Sequence, residues 1–352
     1  MTRQIRYQDA IREAQAQILA ADPRTYIIGL GAPGPTGIFG TTKDLQREFG
    51  VDRVFDMPSS ENAMTGVALG TSLLGRRPIV VHMRVDFALL SMEPLVNQIA
   101  KWHYMYGGHM VAPLTIRMII GRGWGQGPQH SQSLQAWLAH VPGLKVVMPT
   151  TAHDVKGMLI AAVADDAPVI VMEHRWLYGV TGVVPEEMYE VPLDQAAVVR
   201  SGKDVTLAAT SYMTLESLRA ADMLSQIGVE ADVIDLRSLT PIDLPTLSAS
   251  IARTGRIVVS DTGHSLFGVC AEVLALVAES CFSQLKSAPG RVGLPHAPTP
   301  TSPALADLYY PRALDIARAA AEMLGAAHRL PPEILGEHKW KDTPDPSFTG
   351  PY

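Results

Sequence analysis

The sequence predicts an α/β fold of two domains with mainly parallel sheets, and three observations predict it. Short apolar runs alternate with segments of helical period along most of the chain. The apolar runs are near-continuous, as expected of parallel strands buried on both faces. The length, 352 residues, suits two domains better than one.

The elements follow in order. Ile11, Ala14, Ile18 and Leu19 recur at helical spacing and predict a helix over 7–21. A strand is expected over 25–28, then a Gly/Pro-rich stretch at 29–40 that cannot hold regular structure. A short strand at 53–56 precedes a small-residue helix over 62–74, with Gly66 and Gly70 four apart. Strands at 78–83 and 114–120 bracket a long helix from about 92 to 106. A Gly-rich loop at 121–127, a strand at 144–148, a helix at 152–164 and a strand at 168–172 complete the first domain, 1–190. The stretch 173–200 reads as a connection. The second domain, 191–326, shows strands at 205–210, 230–235 and 256–260 and helices at 215–226, 245–252 and 269–278. A Pro-rich stretch at 289–303 precedes a last helix at 311–324, and a Pro- and charge-rich tail occupies 327–352.

Composition excludes several classes. The hydrophobic share is 47%, too high for a disordered chain. The formal net charge of −6, without clustered Lys and Arg, speaks against a nucleic-acid partner. Cys270 and Cys281 form no CxxC pair, and no ligand-like His spacing accompanies them, so a structural zinc is not expected. MTRQIRYQDAIREAQ has a helical charge pattern rather than that of a signal peptide. No run of about 18 uninterrupted apolar residues suggests a membrane span. The expectation is a cytoplasmic protein.

Gly29, Gly31 and Gly34 satisfy GxGxxG after an expected strand. A dinucleotide site needs a helix to open at the third glycine and aim its amides at a pyrophosphate. Pro35, Thr36, Gly37, Ile38, Phe39 and Gly40 follow instead, and that composition opposes a helix. The stretch reads as a mobile or ligand-lining loop.

Four segments carry a stronger signal: MPSSENAMTGVALG (57–70), HMRVDFALL (82–90), GPQHSQSLQAWLAHVPGLKVVMPT (127–150) and EADVIDLRSLTPID (230–243). In this order they resemble the β subunits of pyruvate, branched-chain 2-oxo-acid and acetoin dehydrogenases, members of the transketolase-like superfamily. The resemblance runs from about residue 7 to 324 and includes VVSDTGHSLFGVCAEV at 258–273. It implies a pyrimidine-binding domain followed by a transketolase C-terminal-like domain. It implies thiamine diphosphate as cofactor, its aminopyrimidine held by this chain. The diphosphate and Mg²⁺ would be held by an α subunit through a GDG motif, which this sequence lacks. An α2β2 heterotetramer is therefore implied, with a lipoyl acyltransferase or acyl carrier protein receiving the product. The second domain would supply subunit contacts.

Glu61 stands at the family's catalytic glutamate. Thiamine chemistry needs the cofactor's exocyclic amine in its imino tautomer, and a carboxyl group sharing a proton with the pyrimidine ring nitrogen favours that form. The competing reading makes Ser59 or Ser60 a helix cap and Glu61 an acidic first-turn residue. Phe87 matches the aromatic residue stacked on the aminopyrimidine, against the alternative of a core phenylalanine. His130, in QHSQS, matches the histidine near the reactive thiazolium carbon, where an imidazole can donate a proton during acyl transfer. The alternative is a structural histidine. Gln129 and Ser131 would orient it or line the site. Asp165, in AAVADDAPV, falls where relatives hold a structural potassium ion, largely through backbone carbonyls. The alternative is a solvated helix terminus.

One position departs from the resemblance. Leu30, in IIGLGAPG, stands where an active-site glutamate that lines the cofactor is expected, and Pro33 and Pro35 alter the loop. Arg122 and Trp124 make GRGWGQG unusual as well. The leading expectation is oxidative decarboxylation of a 2-oxo acid with transfer of the acyl or hydroxyalkyl unit to a lipoyl carrier. The second is transfer of a two-carbon ketol unit from a ketose to a carrier protein. The third, a non-catalytic scaffold subunit, sits poorly with the retention of Glu61, Phe87 and His130.

Overall fold

The computed structural model describes residues 3–122 and 125–331. Trp124 and the tail from 332 to 352 lie outside the described residues. The chain divides into two compact units: residues up to 121 with 137–193, and 122–136 with 194 onward.

The first unit opens with β1 (Gln4–Arg6) and α1 (Tyr7–Ala21). There follow β2 (Thr25–Ile28), α2 (Leu45–Phe49), β3 (Val54–Phe55), α3 (Glu61–Ser72), β4 (Arg77–His82) and α4 (Val85–Ala88). Then come α5 (Trp102–Met105), β5 (Thr115–Ile120), α6 (Gln135–Ala139), β6 (Lys145–Val147), α7 (Ala152–Ala164), β7 (Val169–His174) and β8 (Thr181–Val183). Strands β2 to β7 lie in the order β6-β7-β5-β4-β2-β3, and every pairing among them is parallel. The four longer ones, β2, β4, β5 and β7, are buried almost throughout, which explains why they read as unbroken apolar runs. Helix α1 packs on α7 and buries Ala10, Ile11, Ala14 and Ile18, on the face that its periodicity marks.

Three departures have physical causes. The helix expected over 92–106 is a ribbon of changing pitch. It runs from α4 through a 3₁₀ turn (Leu89–Ser91), a π segment (Glu93–Gln98) and a second 3₁₀ turn (Ile99–Lys101) into α5. Pro94, inside the π segment, has no N–H to donate, and its ring crowds the carbonyl one turn back. Within the stretch expected as a connection, β8 pairs antiparallel with β1. QIR and TGV are too short and too polar to read as strands alone. The GxGxxG stretch opens no helix and runs as turns up to Asp44. Its first glycine serves packing: a Cβ on Gly29 would stand 2.7 Å from the Val81 carbonyl oxygen on β4.

The second unit holds β9 (Ala197–Arg200), β10 (Val205–Ala209), α8 (Tyr212–Ser225), β11 (Ala231–Asp235), β12 (Ser238–Thr240), α9 (Leu244–Thr254) and β13 (Ile257–His264). It closes with α10 (Val269–Cys281), β14 (Gly290–Leu294), α11 (Pro303–Tyr309) and α12 (Ala313–Met323). Its sheet runs β14-β13-β10-β11-β9, parallel except for the edge strand β9. Helices α8 and α12 pack together over a core that includes Leu207, Val233, Leu224 and Ile316. Cys270 and Cys281 are buried free thiols.

At the centre of the first sheet lies a buried ion pair. Arg117 on β5 donates from Nε and Nη2 to the two Glu173 oxygens on β7, at 2.5 and 2.8 Å, and both side chains are fully buried. Arg117 Nη1 also donates to Gln15 Oε1 of α1 at 2.9 Å, and Tyr178 Oη donates to Glu173 Oε2 at 2.6 Å. Removing one partner would strand a buried charge. Glu173→Gln or Arg117→Met should therefore lower unfolding free energy by about 3–5 kcal/mol. The paired replacement Arg117→Met/Glu173→Leu should cost less than either single change. Urea unfolding of the three variants tests this, and single changes costing under about 1 kcal/mol would refute it.

Candidate functional site

Parallel pairing puts the carboxyl ends of β2, β3, β4, β5 and β7 along one edge of the first sheet. The strand order reverses between β2 and β4, which lie side by side while β3 lies beyond β2. Such a switch point opens a crevice between the loops that leave the two strands, and ligands settle there. Leu30 leaves β2 at this edge and is half-buried. Phe87 lies in α4, five residues past the end of β4, and is half-buried. Glu61 begins α3, which packs against β4 and the 3₁₀ turn after Phe87. Leu30 and Phe87 thus follow adjacent strands at the same edge of the first sheet, and Glu61 begins the helix that packs against β4 there.

Glu61 is 5% exposed, and its carboxylate makes no hydrogen bond or ion pair among the described residues. Its place in the first helical turn sets it against the amide end of α3, where negative charge is favoured. Ser60 precedes the helix but forms no side-chain cap, so the capping alternative draws no support from this serine. A buried carboxylate that leaves its acceptor sites open suits a nitrogen-bearing ring in the crevice.

The loop after β2 is held by contacts that the sequence did not announce. Asp56, just past β3, accepts from the Gly31 amide at 2.7 Å. Thr42 Oγ1 donates to the Ala32 carbonyl at 2.8 Å and accepts from the Ile38 amide at 2.9 Å. Phe39 has a positive φ of 47°, a conformation costing on the order of 1–3 kcal/mol in a bulky residue. The Arg175 guanidinium carbon sits 4.7 Å from its ring centroid and that of Arg84 5.5 Å, while Tyr178 meets it edge-on at 6.4 Å. Burial holds the Arg175 pKa below its ordinary value, and the nearby Tyr178 opposes that shift. Arg84 also donates from Nη1 to the Gly121 carbonyl at 2.7 Å, pinning the end of β5 to the segment that leads into Phe87. Arg84 lies inside HMRVDFALL, but an arginine acting on a main-chain carbonyl and an aromatic face carries no pattern of its own, and Arg175 lies in none of the four segments.

The QHSQS segment belongs to the second unit. Gln129–Ser131 form a 3₁₀ turn with His130 half-buried and Gln129 exposed. Ser131 is buried and donates from Oγ to the Gly127 carbonyl at 2.8 Å, so it anchors the turn. Asp165 caps the end of α7, and its carboxylate is committed: Oδ2 accepts from Lys145 Nζ, and Oδ1 accepts from the Ala167 amide at 2.8 Å. Its carbonyl accepts from Arg77 Nη1 at 2.9 Å, and the Val163 carbonyl accepts from the same atom at 2.8 Å. The Arg77 guanidinium and Lys145 thus already occupy the carbonyls and the carboxylate at this corner. Among the described residues no group of three or more His, Cys, Asp or Glu could hold a metal ion. No helix among them is long and apolar enough to cross a membrane.

This is the layout of a cofactor-binding α/β unit followed by a second α/β unit. The family comparisons agree with it. Residues 3–181 match the transketolase pyrimidine-binding domain, and residues 194–316 match the transketolase C-terminal domain. The acetoin:2,6-dichlorophenolindophenol oxidoreductase β subunit of Cupriavidus necator is 41% identical over 93% of this chain and 100% of its own length. The mitochondrial pyruvate dehydrogenase E1 β-1 subunit of Arabidopsis thaliana is 37% identical over 89% of this chain and 87% of its own. A solved structure described as a split-gene transketolase, inactive β4 tetramer, superposes with a TM-score of 0.76 at 25% identity, covering 92% of this chain and 99% of its own. The chain belongs to the transketolase-like family of β subunits of thiamine-diphosphate-dependent 2-oxo-acid dehydrogenase components.

His82, the last residue of β4, lies at the carboxyl edge of the first sheet. It is buried, and burial alone drives its imidazole down to about 4. An unfolded histidine titrates near 6.5. Between these two values the unfolded chain takes up a proton that the fold refuses. Stability should therefore fall as pH drops from about 6.5 towards 4, by up to about 1.4 kcal/mol per pH unit for this group. His82→Leu should flatten that part of the profile. Urea unfolding at pH 7, 6 and 5 checks this, and an unchanged slope in the variant would count against it.

Proposed function

We propose that this chain supplies the aminopyrimidine half of an active site that an α subunit completes, in an enzyme that decarboxylates a 2-oxo acid. The observation that carries the proposal is Glu61: a buried carboxylate, without a protein partner among the described residues, at the switch point of a parallel sheet. Bound thiamine diphosphate supplies a nucleophilic thiazolium carbon. Glu61 would hold a proton between its carboxyl group and the pyrimidine ring nitrogen. Phe87 would fix the ring plane by stacking, at little entropic cost. Leu30 would line the crevice with an apolar surface. His130, oriented by Gln129 and Ser131, would deliver a proton during transfer of the acyl unit to a lipoyl carrier.

The diphosphate and Mg²⁺ are assigned to the α subunit of an α2β2 assembly, and the acceptor to a lipoyl acyltransferase or acyl carrier protein. The functional domains are taken as 1–190 and 191–326. A potassium ion at the end of α7 would have to share the Val163 and Asp165 carbonyls with the Arg77 guanidinium, since the Asp165 carboxylate is already bound to Lys145. The Leu30 loop, with its strained Phe39, favours keeping a second reading in which the same cofactor transfers a two-carbon ketol unit from a ketose. Turnover of pyruvate and branched-chain 2-oxo acids against ketose phosphates separates the two, and acyl transfer from a simple 2-oxo acid to lipoamide would defeat the second.

Glu61→Gln should lower kcat of the reconstituted α/β enzyme by about 10²–10⁴-fold. Assembly and melting temperature should stay within experimental error of the parent. Steady-state kinetics and analytical ultracentrifugation read the two effects. A variant with unchanged kcat would remove Glu61 from the chemistry.

A further inference from the structure

The loop that ends at His130 begins at a buried arginine for which the chemistry above has no use. Arg122 is fully buried. Its Nη1 donates to the Pro300 carbonyl at 2.8 Å and its Nη2 to the Thr301 carbonyl at 3.1 Å. The guanidinium carbon lies 6.0 Å from the Tyr310 ring centroid. The accepting segment is itself restrained. Prolines stand at 295, 298, 300 and 303, each fixing its own φ. Tyr309 Oη donates to the Ala297 carbonyl at 3.0 Å and accepts from Thr299 Oγ1 at 3.2 Å.

The loop comes close to this segment a second time. A Cβ on Gly127 would stand 3.8 Å from Thr301 Oγ1. From Gly127 the chain turns directly into the 3₁₀ turn, closed by the Ser131 bond to the Gly127 carbonyl at 2.8 Å and by Gln132 Nε2 donating to the Gln129 carbonyl at 3.0 Å. Arg122, Gly127 and Ser131 thus form consecutive fixed points, and His130 stands on the last of them.

We propose that Arg122 is a positioning residue for His130: its two-pronged grip on Pro300 and Thr301 sets the path of the glycine-rich loop that presents the imidazole. Glycines at 121, 123, 125 and 127 leave that loop with little conformational preference of its own. A guanidinium suits the task because one planar group can bond two successive carbonyls, whereas an ammonium offers a point charge without that fork. The proposal rests on the reading of His130 as a proton donor in acyl transfer, and its test separates the two.

The enzyme reconstituted with its α subunit is assayed with pyruvate or acetoin, whichever the parent turns over, and lipoamide as acyl acceptor, so that the step assigned to His130 is part of the turnover read. Arg122→Ala should lower kcat about 10- to 100-fold, the scale set by a displacement of about 1 Å at a reacting group, with KM within about twofold. Millimolar guanidinium ion should restore part of the lost kcat. Hydrogen exchange over 125–132 should quicken at least about tenfold, while β10 and β13 keep the parent's protection. Arg122→Lys should fall between parent and Ala, and it serves as the test if the Ala variant does not fold. Unchanged exchange over 125–132, or a loosened loop with an unchanged kcat, would overturn the proposal. If His130→Ala keeps the parent's kcat, the reading of His130 fails instead, and loop exchange in Arg122→Ala still decides whether the clamp exists.

Discussion

Parallel pairing of β2, β3, β4, β5 and β7 is the constraint on which the candidate site depends. It sends every strand of the set out of the sheet at the same edge. The segments that carry residues 30, 61 and 87, far apart in the chain, then leave β2, β3 and β4 at the same edge. No local propensity could bring them together. The strand order adds the second half of the argument. Because β2 lies between β3 and β4, the chain leaves β2 towards one side and returns beside it from the other, and the crevice is opened by topology. The same constraint explains the hydrophobic signature, since a sheet covered on both faces admits few polar residues.

The exceptions to that rule are therefore informative. Arg117 and Glu173 lie on the neighbouring strands β5 and β7, in the most thoroughly buried part of the sheet. Desolvation opposes the Arg117 charge most strongly, and Glu173 offsets it by Coulomb attraction and hydrogen bonding, leaving the guanidinium pKa above its ordinary value. Tyr178 and Gln15 complete the set of partners, so the network binds α1, β5, β7 and the turn after β7. An ion pair of this kind adds little net stability over a well-packed apolar pair. What it adds is specificity: a one-residue slip between β5 and β7 would bury two separated charges. The turn so fixed includes Arg175 and Tyr178, both of which lie against Phe39. A register device in the middle of the sheet thus reaches the loop that carries Leu30.

The sequence revealed a good share of this, for identifiable reasons. Helices α1 and α7 bury one apolar face or nearly every side chain, so period and length marked them closely. The longer parallel strands stood out as apolar runs. The misses share a different cause. β1, β8 and β9 are short edge or ribbon strands whose pairing partners lie far off in the chain, and nothing in QIR or TGV encodes them locally. The ribbon from α4 to α5 keeps helical composition, but its pitch is set by where Pro94 falls. In the candidate site, residues that bear chemistry lay within segments whose order resembled a family. Those that hold the loops were not legible as such: Arg84 lay inside HMRVDFALL and Arg122 inside GRGWGQG, but these two and Asp56 act on main-chain groups, which leave no side-chain pattern to read.

That last distinction bears on how this edge of the sheet tolerates change. Glu61 is fixed by the start of a twelve-residue helix packed on the sheet, whereas Leu30 sits in a succession of turns held by Asp56, Thr42 and the rings around Phe39. A substitution at Leu30 alters a surface supported by side chains, and those supports can adjust one at a time. A displacement of Glu61 would have to move α3 against β4. The element least able to move therefore carries Glu61, and the element built of turns carries Leu30. Leu30 and Glu61 follow neighbouring strands, β2 and β3, and have separate anchors, so a change at position 30 leaves Glu61 where α3 puts it.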